Sequence, residues 1–337
     1  MQTETSPSWH PVAWIVTICA AIVIGGCSPA TIAPEDQTVR VCLQPIPAYA
    51  PLWVAKRKGW LQEALSEKKL GTVEWSTMRD GPLQNEAFAA GLIDVALTAD
   101  TPAIIGRSAG LEFKVVGLIA SCPQSLAVLV PKDSRVKNMA DLKGKKIAAT
   151  KGSFCHHLLA LALQREGMSL ADVRFINMSG PEINTSLQSG HIDAGVTWEP
   201  YISQMIGSGS AKVLLDGTGL KNGNEVIVAT NRLIESSPQV IDALLEVAER
   251  GKLYISEHPS EAASLISGDV GMPPEQLVGI FSKNHYLPPI DVATTDELDA
   301  TQAFLHDLGV NRNKVDINQF VEMKFQDDHS SEVEATP

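Results

Sequence analysis

Residues Lys151 to Leu163, KGSFCHHLLALAL, set a Gly-Ser pair ahead of one cysteine and two histidines and then run apolar. Cys155 beside His156 and His157 offers two chemistries, a metal site or a thiolate–imidazole nucleophile. Gly152-Ser153 at the head of a helix offers a third, an anion held by backbone amides. The first N–H groups of a helix lack internal partners, and the macrodipole places partial positive charge there. The spacing argues against a metal, because sequence neighbours do not share a helix face and the i, i+4 pair of a helical zinc site is absent. A catalytic Cys–His pair finds no orienting third group, although a helix N-terminus would lower the Cys155 pKa. No HExxH, GxSxG, GxGxxG or Walker A pattern occurs elsewhere. The anion reading makes Gly152, the amides of Ser153 and Phe154 and the Ser153 hydroxyl the cradle.

The elements that must position this cradle show in an internal echo. Gly81-Pro82 leads to GLIDVALTADTP at Gly91, and Gly180-Pro181 leads to GHIDAGVTWEP at Gly190, with the same offset. Pro after Gly suits the first turn of a helix, the second glycine suits its end, and the Ile-Asp runs read as buried strands. Lys58-Gly59 and Lys151-Gly152 each precede a further helix-like run and a strand, Val73–Trp75 and Arg174–Ile176. Alternating strands and helices predict parallel sheets, and one repetition predicts two α/β lobes rather than a solenoid. Loops at the carboxyl ends of such strands bind ligands. They carry Thr98, Asp100 and Thr101 in one lobe and Thr197, Trp198 and Glu199 in the other. Asp100 and Glu199 are equivalent in the echo, either capping helices or holding hinge contacts, or meeting an amino or ring N–H group of a ligand. Trp53, Trp198, Tyr49 and Tyr201 lie in or near these loops and favour a solute with an organic body, with core packing the equal alternative for Trp53. Residues 241–255 read as an amphipathic helix.

Val12 to Gly26 is uncharged, too short to span a bilayer but suited to an export signal. It ends in Ile24-Gly25-Gly26-Cys27, which resembles a bacterial lipobox, so residues 1–26 are expected to be removed and Cys27 lipidated, with 27–37 as tether. The leader lacks Lys and Arg and carries Glu4, a departure from that pattern. The chain has 337 residues and net charge −12, acidic enough to exclude nucleic acid as partner. Cys42, Cys122 and Cys155 are too few for a disulfide framework, and the acidic stretch 326–337 reads as disorder.

KIAATKGSFCHHLLALALQREGM, SGHIDAGVTWEPY, GLIDVALTADTPA and LVPKDS resemble the sulfonate, nitrate and taurine branch of ABC-importer substrate-binding proteins, over about Val39 to Val310. The resemblance implies a type II periplasmic-binding fold, with lobe I from 38–125 and 222–325 and lobe II from 126–221. It implies a monomer that closes on a small organic anion, most readily a sulfonate, and delivers it to a permease and ATPase without catalysis or cofactor. It adds the loop Gln44 to Tyr49 as a ligand loop and His156 as a lining residue, with His157 about 100° round the helix packing or facing solvent. Nitrate, an aromatic carboxylate or a pyrimidine-type heterocycle stay open as solutes. So does an enzyme similar to the pyrimidine-forming relatives on this fold, which use a histidine.

Overall fold

The computed structural model describes residues 37–311 and 313–326; the leader, Cys27, the tether to residue 36 and the tail from 327 lie outside them. Among the described residues eleven strands form two sheets. The first takes β1 (Thr38–Leu43), β2 (Thr72–Thr77), β3 (Val95–Ala99), β4 (Phe113–Ser121), β10 (Asn224–Thr230) and β11 (His285–Tyr286), in the order β11-β4-β10-β3-β1-β2. The second takes β5 (Leu126–Pro131), β6 (Lys146–Ala149), β7 (Arg174–Asn177), β8 (Ala194–Trp198) and β9 (Ala211–Asp216), in the order β7-β6-β8-β5-β9.

Around the first sheet pack α1 (Ala50–Lys58), α2 (Trp60–Glu67), α3 (Gly81–Ala89) and α4 (Asp100–Ser108). Around the second lie α5 (Phe154–Arg165), α6 (Gly180–Gln188) and α7 (Tyr201–Gly207). The chain then returns through α8 (Asn231–Ser236), α9 (Pro238–Glu257), α10 (Pro259–Val270), α11 (Pro274–Phe281), α12 (Val292–Asp307) and α13 (Ile317–Phe320). Each sheet is buried on both faces, which is why its strands read as near-continuous apolar runs. Val95 and Leu97 join one core with Val39, Val41 and Ile227, while Ala96 between them joins the opposite core with Cys42 and Val228. Ala127 and Leu129 likewise face away from Val128 and Val130.

The expectation of parallel sheets needs correction. β1 pairs parallel with β2 and β3, and β6 with β7 and β8, but β5 is antiparallel to β8 and β9, and β10 is antiparallel to β3 and β4. β5 and β10 are the strands that follow the two chain crossings between sheets, at residues 122–125 and 217–223. A crossing leaves one sheet at its ligand edge and enters the other there, so the incoming strand runs against its neighbours. The amphipathic stretch expected over 241–255 is the central part of α9, and the two Gly-Pro pairs open α3 and α6.

Candidate functional site

A cleft of 360 Å³ opens between the carboxyl edges of the two sheets. One wall carries Gln44, Ile46, Arg79, Asp80, Gly81 and Thr101; the other carries Thr150 to Phe154, Trp198, Pro200, Tyr201 and Gln204; Glu225 lies between. Of the residues expected to bind ligand, Gln44, Thr101, Gly152, Ser153, Phe154 and Trp198 line this cleft. Trp198 stands between Phe154 and Tyr201, with ring centroids 5.9 and 5.5 Å away, so an aromatic wall lines the cleft.

The local chemistry of the 150–156 turn differs from the expected cradle. Gly152 has φ +74°, which lets the chain turn sharply into α5. Its N–H donates to Nδ1 of His156 at 3.2 Å, and the Ser153 N–H donates to the Thr150 carbonyl at 3.1 Å. The Ser153 hydroxyl donates to the same carbonyl at 2.7 Å and accepts the His156 N–H at 3.3 Å, so Ser153 is the N-cap of α5. These three groups are therefore occupied. The α5 amides that take no acceptor among the described residues are those of Phe154 and Cys155. Two cations at the cleft were not foreseen: Lys151, exposed and without an ion pair among the described residues, and Arg79, 81% exposed, which pairs at 2.9 Å with its neighbour Asp80. Both stand next to residues that were read for their backbones, and nothing in the sequence orients their side chains.

His156 does not line the cleft. It is buried at the back of α5, stacked on Phe175 at 4.3 Å and edge-on to Phe304 at 5.4 Å. His157 stacks on Phe304 from α12 at 4.3 Å, so of the two expectations for it packing holds and exposure does not. Burial, aided by Lys151, lowers the His156 pKa to about 4. Burial, with Lys221 and His156, lowers that of His157 to about 3. Cys155 is fully buried, and burial pushes its thiol well up, outweighing the helix terminus that was expected to lower it.

The equivalent acids of the echo are both taken up by lysines, as hinge contacts are, and neither lines this cleft. Asp100, fully buried, pairs with Lys221, which also reaches Glu297 at 2.7 Å and Thr301 at 3.2 Å on α12. Burial opposes the charge of Lys221, but Asp100 and Glu297 more than offset it and raise its pKa. Glu199 binds Lys283 at 3.0 Å and accepts the Ser203 N–H at 2.9 Å. Thr98 is buried, outside the lining. Tyr49 is buried in the core and donates its hydroxyl to Glu225 at 2.7 Å. Trp53 is core as well, and its indole N–H donates to the Gln44 carbonyl at 3.2 Å, which fixes the loop beginning at Gln44. Glu225 itself was missed; its one trace in the sequence is an acid at the head of the apolar run VIVA.

Two α/β lobes joined by two crossings and opening on a cleft between strand ends form a periplasmic-binding-protein fold, and the cleft together with the relatives given next supports a solute-binding role for this chain. The chain belongs to the NMT1/THI5-like family, whose model matches residues 46–262. It is 30% identical over 330 residues to a Bacillus subtilis (strain 168) protein named for binding aliphatic sulfonates, covering 94% of this chain and 97% of that one. It is similar to the crystal structure of the periplasmic aliphatic sulphonate binding protein from Escherichia coli, with a TM-score of 0.79 and 25% identity over 85% of this chain and 92% of that one. A desulfurization enzyme shares the fold, with a TM-score of 0.64 and 17% identity over 87% of this chain and 98% of that one.

Proposed function

We propose that this chain is an extracytoplasmic binding protein that captures a small organic anion, a sulfonate before other anions, and passes it to an ABC permease and ATPase. The observation that carries this reading is the Lys151–Phe154 wall of the cleft. It offers the amides at the start of α5 and an ammonium at Lys151, none of them with a partner among the described residues, and an aromatic surface at Phe154, Trp198 and Tyr201. Amides and dipole suit a sulfonate or carboxylate head, and the aromatic wall suits its carbon body better than it suits bare nitrate. The sulfonate-binding names of relatives across most of the chain favour the first head group. Export on the leader and a lipid at Cys27 complete the proposal, with the protein working as a monomer tied to a membrane surface.

Catalysis has less support. The thiols of Cys122 and Cys155 are buried and pushed far above neutrality, and both histidines of the α5 turn are neutral and stacked on phenylalanine rings. A thermal-shift panel of alkanesulfonates, aromatic carboxylates, pyrimidines and nitrate tests the reading, since a ligand of the folded state raises Tm. Sulfonates should give the largest shifts. No response to any anion, or chemical turnover of one, would sink it.

A further inference from the structure

The second crossing ends in Leu220 to Asn224, LKNGN, which holds the one Asn-Gly pair of the sequence, Asn222-Gly223. Such a pair has a chemistry of its own. The backbone nitrogen that follows an asparagine can attack the side-chain carbonyl carbon and close a five-membered imide, and glycine, without a side chain, hinders the attack least. Folding commonly blocks this by binding the N–H or by holding the carboxamide. Here neither is held. Asn222 is exposed, and its carboxamide has no hydrogen-bond partner among the described residues. Gly223 lies buried at φ +62°, and its N–H meets no acceptor among the described residues, an uncommon state for a buried amide. The other end of the same crossing behaves differently. At Asp216-Gly217 the Gly217 N–H donates to the Pro123 and Leu126 carbonyls at 3.0 and 3.1 Å, and Asp216 accepts the Thr218 N–H at 2.9 Å.

The backbone of Asn222 is also a tie. Its carbonyl accepts the Cys122 N–H from the first crossing at 2.9 Å. Its N–H donates at 3.0 Å to Oε1 of Glu297 on α12, the carboxylate that holds Lys221 at 2.7 Å. We propose that Asn222 is a deamidation site of the folded protein, and that isoaspartate there undoes the tie between the two crossings. The reaction needs only water. The bond from the Gly223 nitrogen to Cγ forms as the Cγ–Nδ2 bond breaks, and the Gly223 amide proton leaves with the side-chain nitrogen as ammonia. Water then opens the imide. Entry at Cγ restores the backbone and leaves aspartate. Entry at the backbone carbonyl carbon leaves isoaspartate, with the chain running through the side-chain carbons. Either product sets a new carboxylate near Glu297, a like charge. Isoaspartate also lengthens the crossing by a methylene and turns the carbonyl that Cys122 binds into a carboxylate off the chain. No ligand enters this chemistry, so it stands or falls apart from the anion reading.

The test holds the full chain folded in mildly alkaline buffer, where base takes the amide proton, beside a sample unfolded in urea. Peptide mass mapping and labelling with an isoaspartyl methyltransferase should find conversion at residue 222 in both samples, and none there in Asn222→Gln, whose longer side chain closes the ring poorly. Asp216→Asn places a second Asn-Gly pair at the other end of the crossing and keeps an acceptor for Thr218. Its unfolded chains should convert at both pairs, and its folded chains at residue 222 alone. The isoaspartate form, separated by chromatography, should unfold about 2 °C lower or more, for the lost backbone hydrogen bond. Asn222→Asp, with the charge but not the rerouted backbone, should fall by less. Conversion at residue 222 in urea but not in the folded protein overturns the site. Equal conversion of the two pairs in folded Asp216→Asn overturns the role of the free Gly223 N–H. An isoaspartate form as stable as the wild type overturns the tie.

Discussion

Ser153 carries two separable duties, capping α5 and facing the cleft. Its hydroxyl already donates to Thr150, so Ser153→Ala should cost stability, about 1 kcal/mol for the lost cap, with little change in sulfonate affinity. Ser153→Asp keeps a capping side chain but puts a carboxylate at the anion end. Its Tm should stay near the wild type while sulfonate affinity falls by about tenfold or more. Urea unfolding and calorimetry read the two effects apart, and a sulfonate affinity unchanged in Ser153→Asp would move the anion elsewhere. A second expectation concerns pH. His156 and His157 have folded pKa values lowered to about 4 and about 3, so the stability they contribute is lost as pH falls below about 6.5. Glu225 has a raised folded pKa, so its contribution is lost as pH rises from its unfolded value of about 4.3 through about 8. Tm should therefore peak near pH 6.5, and the alkaline limb should flatten in Glu225→Gln. An alkaline limb unaltered by that substitution would count against the raised pKa. Residue chemistry was only partly legible beforehand. Gly152, Ser153, Phe154 and Trp198 could be placed at the cleft from local pattern together with the family resemblance. The lysine partners of Asp100 and Glu199 come from distant segments, Lys221 and Lys283, and no spacing rule connects them.

Elements were more legible, because their signals are local. Both Gly-Pro pairs open helices, and both Ile-Asp runs lead into the strands β3 and β8. The reversal of β5 and β10 was hidden, since strand direction depends on where the chain enters a sheet. Close packing between elements was hidden too. Gly251 in α9 lies against α1 so closely that a Cβ there would overlap the Pro51 carbonyl. Gly251→Ala should therefore destabilise by about 1–3 kcal/mol, as overpacking does, despite alanine's better helix propensity. A urea midpoint equal to or above the wild type would show that the two helices can separate at no cost. Phe304 is the other contact of this kind: it comes from α12, stacks on His157 and meets His156 edge-on, joining the back of one lobe to the back of the other.

On the molecular scale, contacts between lobes lie on more than one side of the crossings. Phe304 and Lys221 tie α12 to the back of α5 and to the crossing, while Lys283 reaches over to Glu199 beside Tyr201. The pair at Glu199 holds the two lobes in the arrangement described, and it is the more exposed of these ties, the Lys283 side chain being 34% exposed. Lys283→Ala should favour a more open form and weaken ligand binding severalfold, because the closed state must then be formed at greater cost. Small-angle scattering without and with ligand would check this. A radius of gyration identical to the wild type in both states would mean that the pair does not hold the lobes.

The two crossings also leave a mark on how the protein can be taken apart. Ser121, where the chain departs from the first sheet, is paired directly with Asn224, where it comes back; in the second sheet Ala127 is paired with Asp216. The whole segment between them is thus inserted at one point of a hairpin-like junction, with its ends side by side. It forms an exchangeable cassette. A relative's cassette grafted between Ser121 and Asn224 would bring a foreign α5 turn and aromatic wall while leaving Gln44, Gly81 and Thr101 in place, so that one wall of the cleft could be recombined without rewriting the other.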